Sequence, residues 1–108
     1  MIHKLYAISS GLSKRFPNGN SPFQIMTRLL EECGELAEQV NHFEDIGVKR
    51  DKHGESDRAH LAKEVRDVLL CTLQIAQYYH VEAELEGLVE LAVQRMKNEG
   101  LIPIQNSP

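Results

Sequence analysis

Residues 22–43 read PFQIMTRLLEECGELAEQVNHF, and this stretch decides the fold. Its apolar residues recur every three or four positions, which is the period of an amphipathic α-helix. The predicted apolar stripe consists of Ile25, Leu29, Cys33, Leu36, Val40 and Phe43. Ser21, Pro22 and Gln24 form a helix start, because the serine and glutamine side chains can each accept a hydrogen bond from the other's backbone N–H. The sequence therefore predicts a long helix that begins near residue 22.

The same helix concentrates acidic side chains without nearby cations. No lysine or arginine occurs between Arg28 and Lys49. The acidic residues of this span are Glu31, Glu32, Glu35, Glu38, Glu44 and Asp45. The neighbours of Glu35 one turn away are Glu31, Glu32, Glu38 and Gln39, so like charges repel where opposite charges would stabilise a helix. This crowding indicates a bound cation, and an ordinary solvated acidic face is the alternative interpretation.

A second acidic pair, Glu64 and Asp67, repeats the three-residue spacing on the next predicted helix. That helix is expected from about Asp57 to Tyr79, after a loop at residues 47–56 that contains two glycines. Its predicted apolar face consists of Leu61, Val65, Val68, Thr72, Ile75 and Tyr79. If the two long helices pack antiparallel along their apolar faces, the two acidic pairs converge. Ordinary surface ion pairs, such as that between Lys63 and Asp67, are the alternative.

Carboxylates without histidine at ligand spacing favour a hard cation. Magnesium takes oxygen ligands and usually combines a few carboxylates with substrate phosphates. We therefore expect Mg²⁺, with Mn²⁺ as a substitute, held between the two helices. A ferritin-like di-iron site is disfavoured, because it requires a Glu-x-x-His motif on two helices.

Two further helices complete the predicted all-α fold. The first has Ile2, Leu5, Ile8 and Leu12 at helical spacing and should end before Phe16. The last spans Val81 to Asn98 and stops at Gly100. Its predicted inward residues are Leu85, Leu88, Val89, Ala92 and Met96. Because residues 68–81 contain no Asp, Glu, Lys or Arg, a second copy of the chain is expected to cover this segment as a homodimer.

Length and composition narrow the function class. A chain of 108 residues is expected to form a single domain over residues 1–108. The net charge of −4 disfavours a basic surface that grips a nucleic acid polymer. Cys33 and Cys71 are isolated and are interpreted as buried thiols in a reducing compartment. Without a predicted membrane span or secretory signal, the cytoplasm is the expected location.

The two acidic motifs carry a family resemblance. Glu32-x-x-Glu35 and Glu64-x-x-Asp67, separated by 28 residues and set in apolar helices, resemble the MazG-like all-α nucleotide pyrophosphohydrolases over roughly residues 22–99. The resemblance implies a four-helix bundle completed by homodimerisation, as a dimer or dimer of dimers. It also implies magnesium-dependent hydrolysis of a nucleoside triphosphate to the monophosphate and pyrophosphate, a reaction suited to house-cleaning of the nucleotide pool. The metal ligands then correspond to Glu32, Glu35, Glu64 and Asp67.

The remaining catalytic roles have several candidates. Glu38 or Glu31 is expected to accept the proton of the attacking water, since crowded carboxylates have raised pKa values; exposed helix surface is the alternative for both. Arg95, Lys97 and Asn98 are candidate contacts to the substrate phosphates, with a solvated helix end as the alternative. Relatives often have a further arginine here, whereas this chain continues Glu99-Gly100.

Two rival functions stay open at the level of sequence. A phosphoribosyl-ATP pyrophosphatase has a similar acidic pattern, but such enzymes typically follow the second pair with Leu-x-Tyr-His. This chain has Val68-Leu69-Leu70-Cys71 instead. The other rival is a non-catalytic helical dimer that binds a partner or a nucleotide. Metal-dependent release of pyrophosphate distinguishes these possibilities.

Overall fold

A computed structural model of the chain describes residues 1–44 and 57–104, and α-helices account for most of them. The helices are α1 (Ile2–Arg15), α2 (Pro22–Phe43), α3 (Arg58–Tyr78) and α4 (Glu82–Asn98). No strand occurs within these described residues, so the predicted all-α class is confirmed. Asp45 and the predicted loop at residues 47–56 lie outside the described part of the chain.

The helix ends follow local capping chemistry. At the start of α2, the backbone N–H of Gln24 donates to Ser21 Oγ at 3.3 Å. The backbone N–H of Ser21 donates in return to Gln24 Oε1 at 3.1 Å. The predicted capping box is thus confirmed. Asp57 caps α3 in a related way, because its Oδ1 accepts from the N–H of Ala59 at 2.9 Å.

Two residues with positive φ lie beside the ends of α4. His80, just before it, has φ of 56°, a left-handed conformation that breaks the helical path without glycine or proline. After α4, Gly100 has φ of 77°. Its N–H donates to the carbonyl of Lys97 at 3.0 Å, and the N–H of Leu101 donates to Met96 at 2.9 Å. Gly100 is therefore the predicted stop signal, since glycine adopts this φ at no steric cost.

The chain divides into two compact units, the first of them Met1–Tyr78 and the second beginning at Tyr79. In the first unit, α3 packs against both α2 and α1. The apolar core of this unit consists of Leu5, Ile25, Leu70, Leu73 and Ala76. The second unit contains α4, none of whose residues is buried. Leu88, Val89 and Met96 are exposed within this unit, so their inward packing stays a prediction.

The buried face of α2 differs from the predicted stripe. Ile25 is buried as expected, but Cys33 and Val40 are exposed, while the polar residues Gln39 and His42 are buried. The reason is that α2 has apolar residues on two adjacent faces, and a period of three or four cannot tell which of them meets α3. The interpretation of Cys33 as a buried thiol is wrong, and Cys71 is half-buried.

The buried face of α3 is displaced in the same way. Its buried residues are Glu64, Leu70, Leu73 and Ala76, none of which belongs to the predicted apolar face. Val65 and Thr72, which do belong to it, are exposed. This rotation turns one glutamate into the interior of the first unit. Among the described residues, no helix is long and apolar enough to cross a membrane.

Candidate metal site

Three carboxylates meet where α2 packs on α3. One oxygen from each of Glu32, Glu35 and Glu64 lies within 4.8 Å of the others. Glu32 and Glu35 approach each other because residues three apart lie on the same side of a helix. Glu64 reaches them from α3, since these two helices pack together. The structure therefore brings together three of the four predicted metal ligands.

Two oxygens of this cluster are buried without a hydrogen-bond partner. They are Oε2 of Glu32 and Oε2 of Glu64, and Glu64 as a whole is only 3% exposed. Leaving a carboxylate oxygen both desolvated and unpaired is unfavourable, and native proteins usually satisfy such atoms. A hard divalent cation takes carboxylate oxygens of this kind. The cluster therefore has the donor chemistry that Mg²⁺ or Mn²⁺ requires.

The pKa of Glu32 is raised by its burial and by the neighbouring carboxylates. Burial raises the pKa of Glu32 from its ordinary 4.5 to about 7, and repulsion from Glu35, Asp67 and Glu64 adds to the effect. Near neutral pH, this carboxyl group keeps its proton in a large fraction of molecules. A bound cation would favour the charged form.

Asp67, the fourth predicted ligand, is paired with cations of its own helix. Its Oδ2 accepts a hydrogen bond from Lys63 Nζ at 2.9 Å, which confirms that this surface pair forms. Its Oδ1 accepts from Arg66 Nε at 3.1 Å and from Arg66 Nη2 at 3.0 Å. Burial raises the pKa of Asp67, but the hydrogen bonds from Lys63 and Arg66 outweigh it, so the pKa lies below its usual value. Asp67 is not one of the three converging carboxylates.

His60 contacts the cluster, a role that the sequence interpretation missed. Its Nε2 lies 3.2 Å from Oε1 of Glu64, and Lys63 Nζ lies 3.6 Å from the same oxygen. The sequence could have predicted this contact, because His60 precedes Glu64 by four residues on one helix and side chains at that spacing are neighbours. Oε1 of Glu64 is thus paired with basic groups, while its Oε2 is left for another partner.

The other predicted site residues lie outside the cluster. Glu31 and Glu38 are on α2 and are exposed. Arg95, Lys97 and Asn98 form the last turn of α4, in the second unit. There, Asn98 Oδ1 accepts a hydrogen bond from Gln94 Nε2 at 3.0 Å.

A pocket of about 400 Å³ opens beside the acidic cluster, within the first unit. Glu32 and Asp67 form part of its lining. Its other lining residues are Ser9, Leu12, Phe16, Asn18, Asn20, Arg28, Leu70, Cys71 and Gln74. Its volume is within the range of small-molecule sites. The acidic groups therefore border a space that can hold an organic ligand.

Comparison with known proteins points to one family. Residues 20–98 match the family model of the MazG nucleotide pyrophosphohydrolase domain. The chain is also 39% identical over 64 residues to a protein of Bacillus subtilis (strain 168) named "Uncharacterized protein YpjD", a match that covers 59% of this chain and 55% of the relative. The chain thus spans about half the length of that curated relative. No solved structure matches the chain significantly.

Proposed function

Since the chain belongs to the MazG nucleotide pyrophosphohydrolase domain family, we propose that it hydrolyses a nucleoside triphosphate to the monophosphate and pyrophosphate in a magnesium-dependent reaction. The observation that carries the proposal is the convergence of Glu32, Glu35 and Glu64 around two buried, unpaired carboxylate oxygens. In this reaction water adds to the α-phosphorus and the bond to the β-phosphate oxygen breaks. Removal of unwanted nucleotides from the pool is the physiological role that we propose.

The carboxylates of α2 and α3 are the proposed metal ligands. Glu32, Glu35 and Glu64 would hold Mg²⁺ or Mn²⁺, and Asp67 would join them once it leaves its pairs with Lys63 and Arg66. When bound, the ion supplies positive charge that offsets the charge of the phosphate oxygens. Lys63 Nζ lies 3.6 Å from Glu64 Oε1, and both Lys63 and Arg66 are paired with Asp67. Once Asp67 leaves these pairs, the two basic side chains would be available to the substrate phosphates.

The water's proton needs an acceptor near the acidic cluster. We propose Glu38, with Glu31 as the alternative, because both are on α2 within one turn of Glu35. Arg95, Lys97 and Asn98 are the proposed contacts for the departing pyrophosphate. The proton passes to the carboxylate as the new P–O bond forms, and the pyrophosphate leaves as an anion that basic side chains stabilise.

A homodimer, or a dimer of such dimers, is the proposed assembly. An exposed apolar stripe runs along α2 at alternating spacings of three and four residues, the repeat by which helices pair. It consists of Phe23, Met26, Leu30, Cys33, Ala37 and Val40. Phe23 and Leu30 are 83% and 68% exposed. A second copy of the chain would remove this surface from water. On α3, where the sequence predicts the interface over residues 68–81, Leu69 and Tyr78 are exposed, whereas Leu70, Leu73 and Ala76 are already buried within one chain.

The test is pyrophosphate release from a panel of nucleoside triphosphates with and without Mg²⁺. We expect turnover that needs the metal, and its loss in Glu35→Gln with the helical content unchanged. Glu86→Gln on α4 is the matched control, because it removes one exposed glutamate outside the cluster. Full activity in Glu35→Gln would contradict the proposed site. Turnover of phosphoribosyl-ATP and of no nucleoside triphosphate would favour the phosphoribosyl-ATP pyrophosphatase. Mg²⁺ binding without any turnover would favour the non-catalytic binding dimer.

A further inference from the structure

The pocket beside the acidic cluster has walls from two parts of the chain. Glu32 and Asp67, at one side, belong to the region that matches the family model. Ser9, Leu12, Phe16 and Asn18 belong to α1 and the turn after it, and precede the first matched residue, 20. This second wall is therefore a feature of this chain beyond the matched domain.

One polar group of this wall, Ser9, is buried without a hydrogen-bond partner among the described residues. The residue is 3% exposed, and its Oγ is buried without a hydrogen bond. A hydroxyl both donates and accepts hydrogen bonds, so leaving it desolvated and unpaired is unfavourable. Because Ser9 also lines the pocket, a ligand there can supply the missing partner. Nearby Leu12 and Leu70 provide apolar surface.

Another part of the lining is already fixed by hydrogen bonds. Arg28 Nη2 donates to Asn20 Oδ1 at 3.2 Å and to Gln74 Oε1 at 3.3 Å. Gln74 Nε2 donates to Ser13 Oγ at 3.2 Å and to Asn20 Oδ1 at 3.3 Å. These groups bond to one another, so their positions are set before any ligand binds. Among the described residues, the buried atoms of the lining without a hydrogen-bond partner are Ser9 Oγ and Glu32 Oε2. Glu32 is assigned to the metal site, which leaves Ser9 to recognise an organic ligand.

From these observations we infer that the pocket receives the nucleobase of the substrate and that Ser9 is a specificity-determining residue, hydrogen-bonded to the polar edge of the base. The inference rests on the proposed function, since it places the base of the same nucleotide whose phosphates meet the acidic cluster. A heterocyclic base suits the lining, because its faces are apolar and its edge carries donors and acceptors. Base preference is then set by α1, while the chemistry belongs to α2 and α3.

Binding of nucleoside 5′-monophosphates tests the inference without requiring turnover. We would titrate isotope-labelled protein with the adenine, guanine, cytosine and uracil monophosphates and follow backbone amide signals. We expect the preferred nucleotide to shift the amides of Ser9, Leu12 and Leu70. Ser9→Ala should lower the affinity for the preferred nucleotide by about tenfold, which is the effect of losing one buried hydrogen bond. It should also reduce the ratio between that affinity and the affinities for the other three nucleotides. Ser10→Ala is the control: its hydroxyl accepts a hydrogen bond from Gln77 Nε2 at 3.0 Å outside the pocket lining, so its loss should change neither quantity.

The melting temperature of Ser9→Ala shows whether Ser9 recognises a ligand or stabilises the fold. Ser9→Ala removes an unpaired buried hydroxyl, so its melting temperature should equal or exceed that of the wild type. The inference would be overturned by absence of shifts at α1, by equal weakening of all four nucleotides, or by a Ser9→Ala variant that binds like the wild type. Failure of the proposed function is distinguishable, because it would leave base-selective binding in place and abolish only pyrophosphate release.

Discussion

The clearest consequence of the acidic cluster is that removing one of its charges should stabilise the metal-free protein. Glu32→Gln keeps the size of the side chain and deletes the carboxylate. Burial and neighbouring carboxylates raise the pKa of Glu32 from 4.5 to about 7. Before any allowance for solvent screening, this difference in pKa corresponds to roughly 3 kcal/mol of unfavourable free energy for the ionised form. Because Glu32 is only half-buried, solvent screening reduces the expected gain to about 1–2 kcal/mol.

The direction of the pH dependence follows from the raised pKa. Between about pH 4.5 and 7 the folded protein holds a proton at Glu32 that the unfolded chain has lost, so this group's contribution to stability falls as pH rises. The penalty is complete above about pH 7. Glu32→Gln should therefore be more stable than the wild type at high pH. Its free energy of unfolding should lack the fall with rising pH that Glu32 causes in the wild type.

Urea unfolding in the presence of EDTA, followed by circular dichroism across this pH window, measures both effects. Glu86→Gln is the control, because it removes an exposed glutamate that lies outside the cluster. Adding Mg²⁺ should stabilise the wild type and not Glu32→Gln, since a ligand stabilises only the state that binds it. A Glu32→Gln variant no more stable than the wild type at the top of the window would refute this account of the cluster.

Three further predictions concern single contacts. Ser21→Ala should lower the free energy of unfolding by about 1 kcal/mol in urea denaturation, because it removes the capping hydrogen bond to Gln24. Lys63→Gln should tighten Mg²⁺ binding in calorimetry, since it frees Asp67 from a competing cation; unchanged or weaker binding would contradict this. We expect the wild type to sediment as the proposed dimer in analytical ultracentrifugation and Leu30→Glu as a monomer, because the substitution places a charge in the exposed apolar stripe of α2. A Leu30→Glu protein that stays dimeric would exclude this stripe as the interface.

Local chemistry explains why much of the fold can be predicted from the sequence. The capping box at Ser21 and the glycine stop at Gly100 are encoded within a few residues, and both occur as expected. The three-residue spacing of Glu32 and Glu35 likewise guarantees that they share one side of a helix. The spacing of residues could not predict which face of α3 is buried. In the structure that face contains Glu64, and Val65 is exposed.

Tertiary contacts account for the features that the sequence did not reveal. Gln74 lines the pocket and donates a hydrogen bond to Ser13, 61 residues away in the sequence. Periodicity carries no information about such a partnership. The pairing of Asp67 with Lys63 was predictable as one alternative, but the competition between that pair and the acidic cluster depends on where α2 lies. The helices were therefore predictable one by one, whereas the pocket required their packing.

The most direct test of the central claim is calorimetric titration of Mg²⁺ into the metal-free wild type and into Glu64→Gln. Glu64 is chosen because its Oε2 is buried and unpaired, so a bound ion is the partner that the account assigns to it. We expect saturable binding to the wild type and at least about a tenfold loss of affinity in Glu64→Gln. No binding to the wild type, or equal binding to both proteins, would contradict the claim that these carboxylates hold a metal ion.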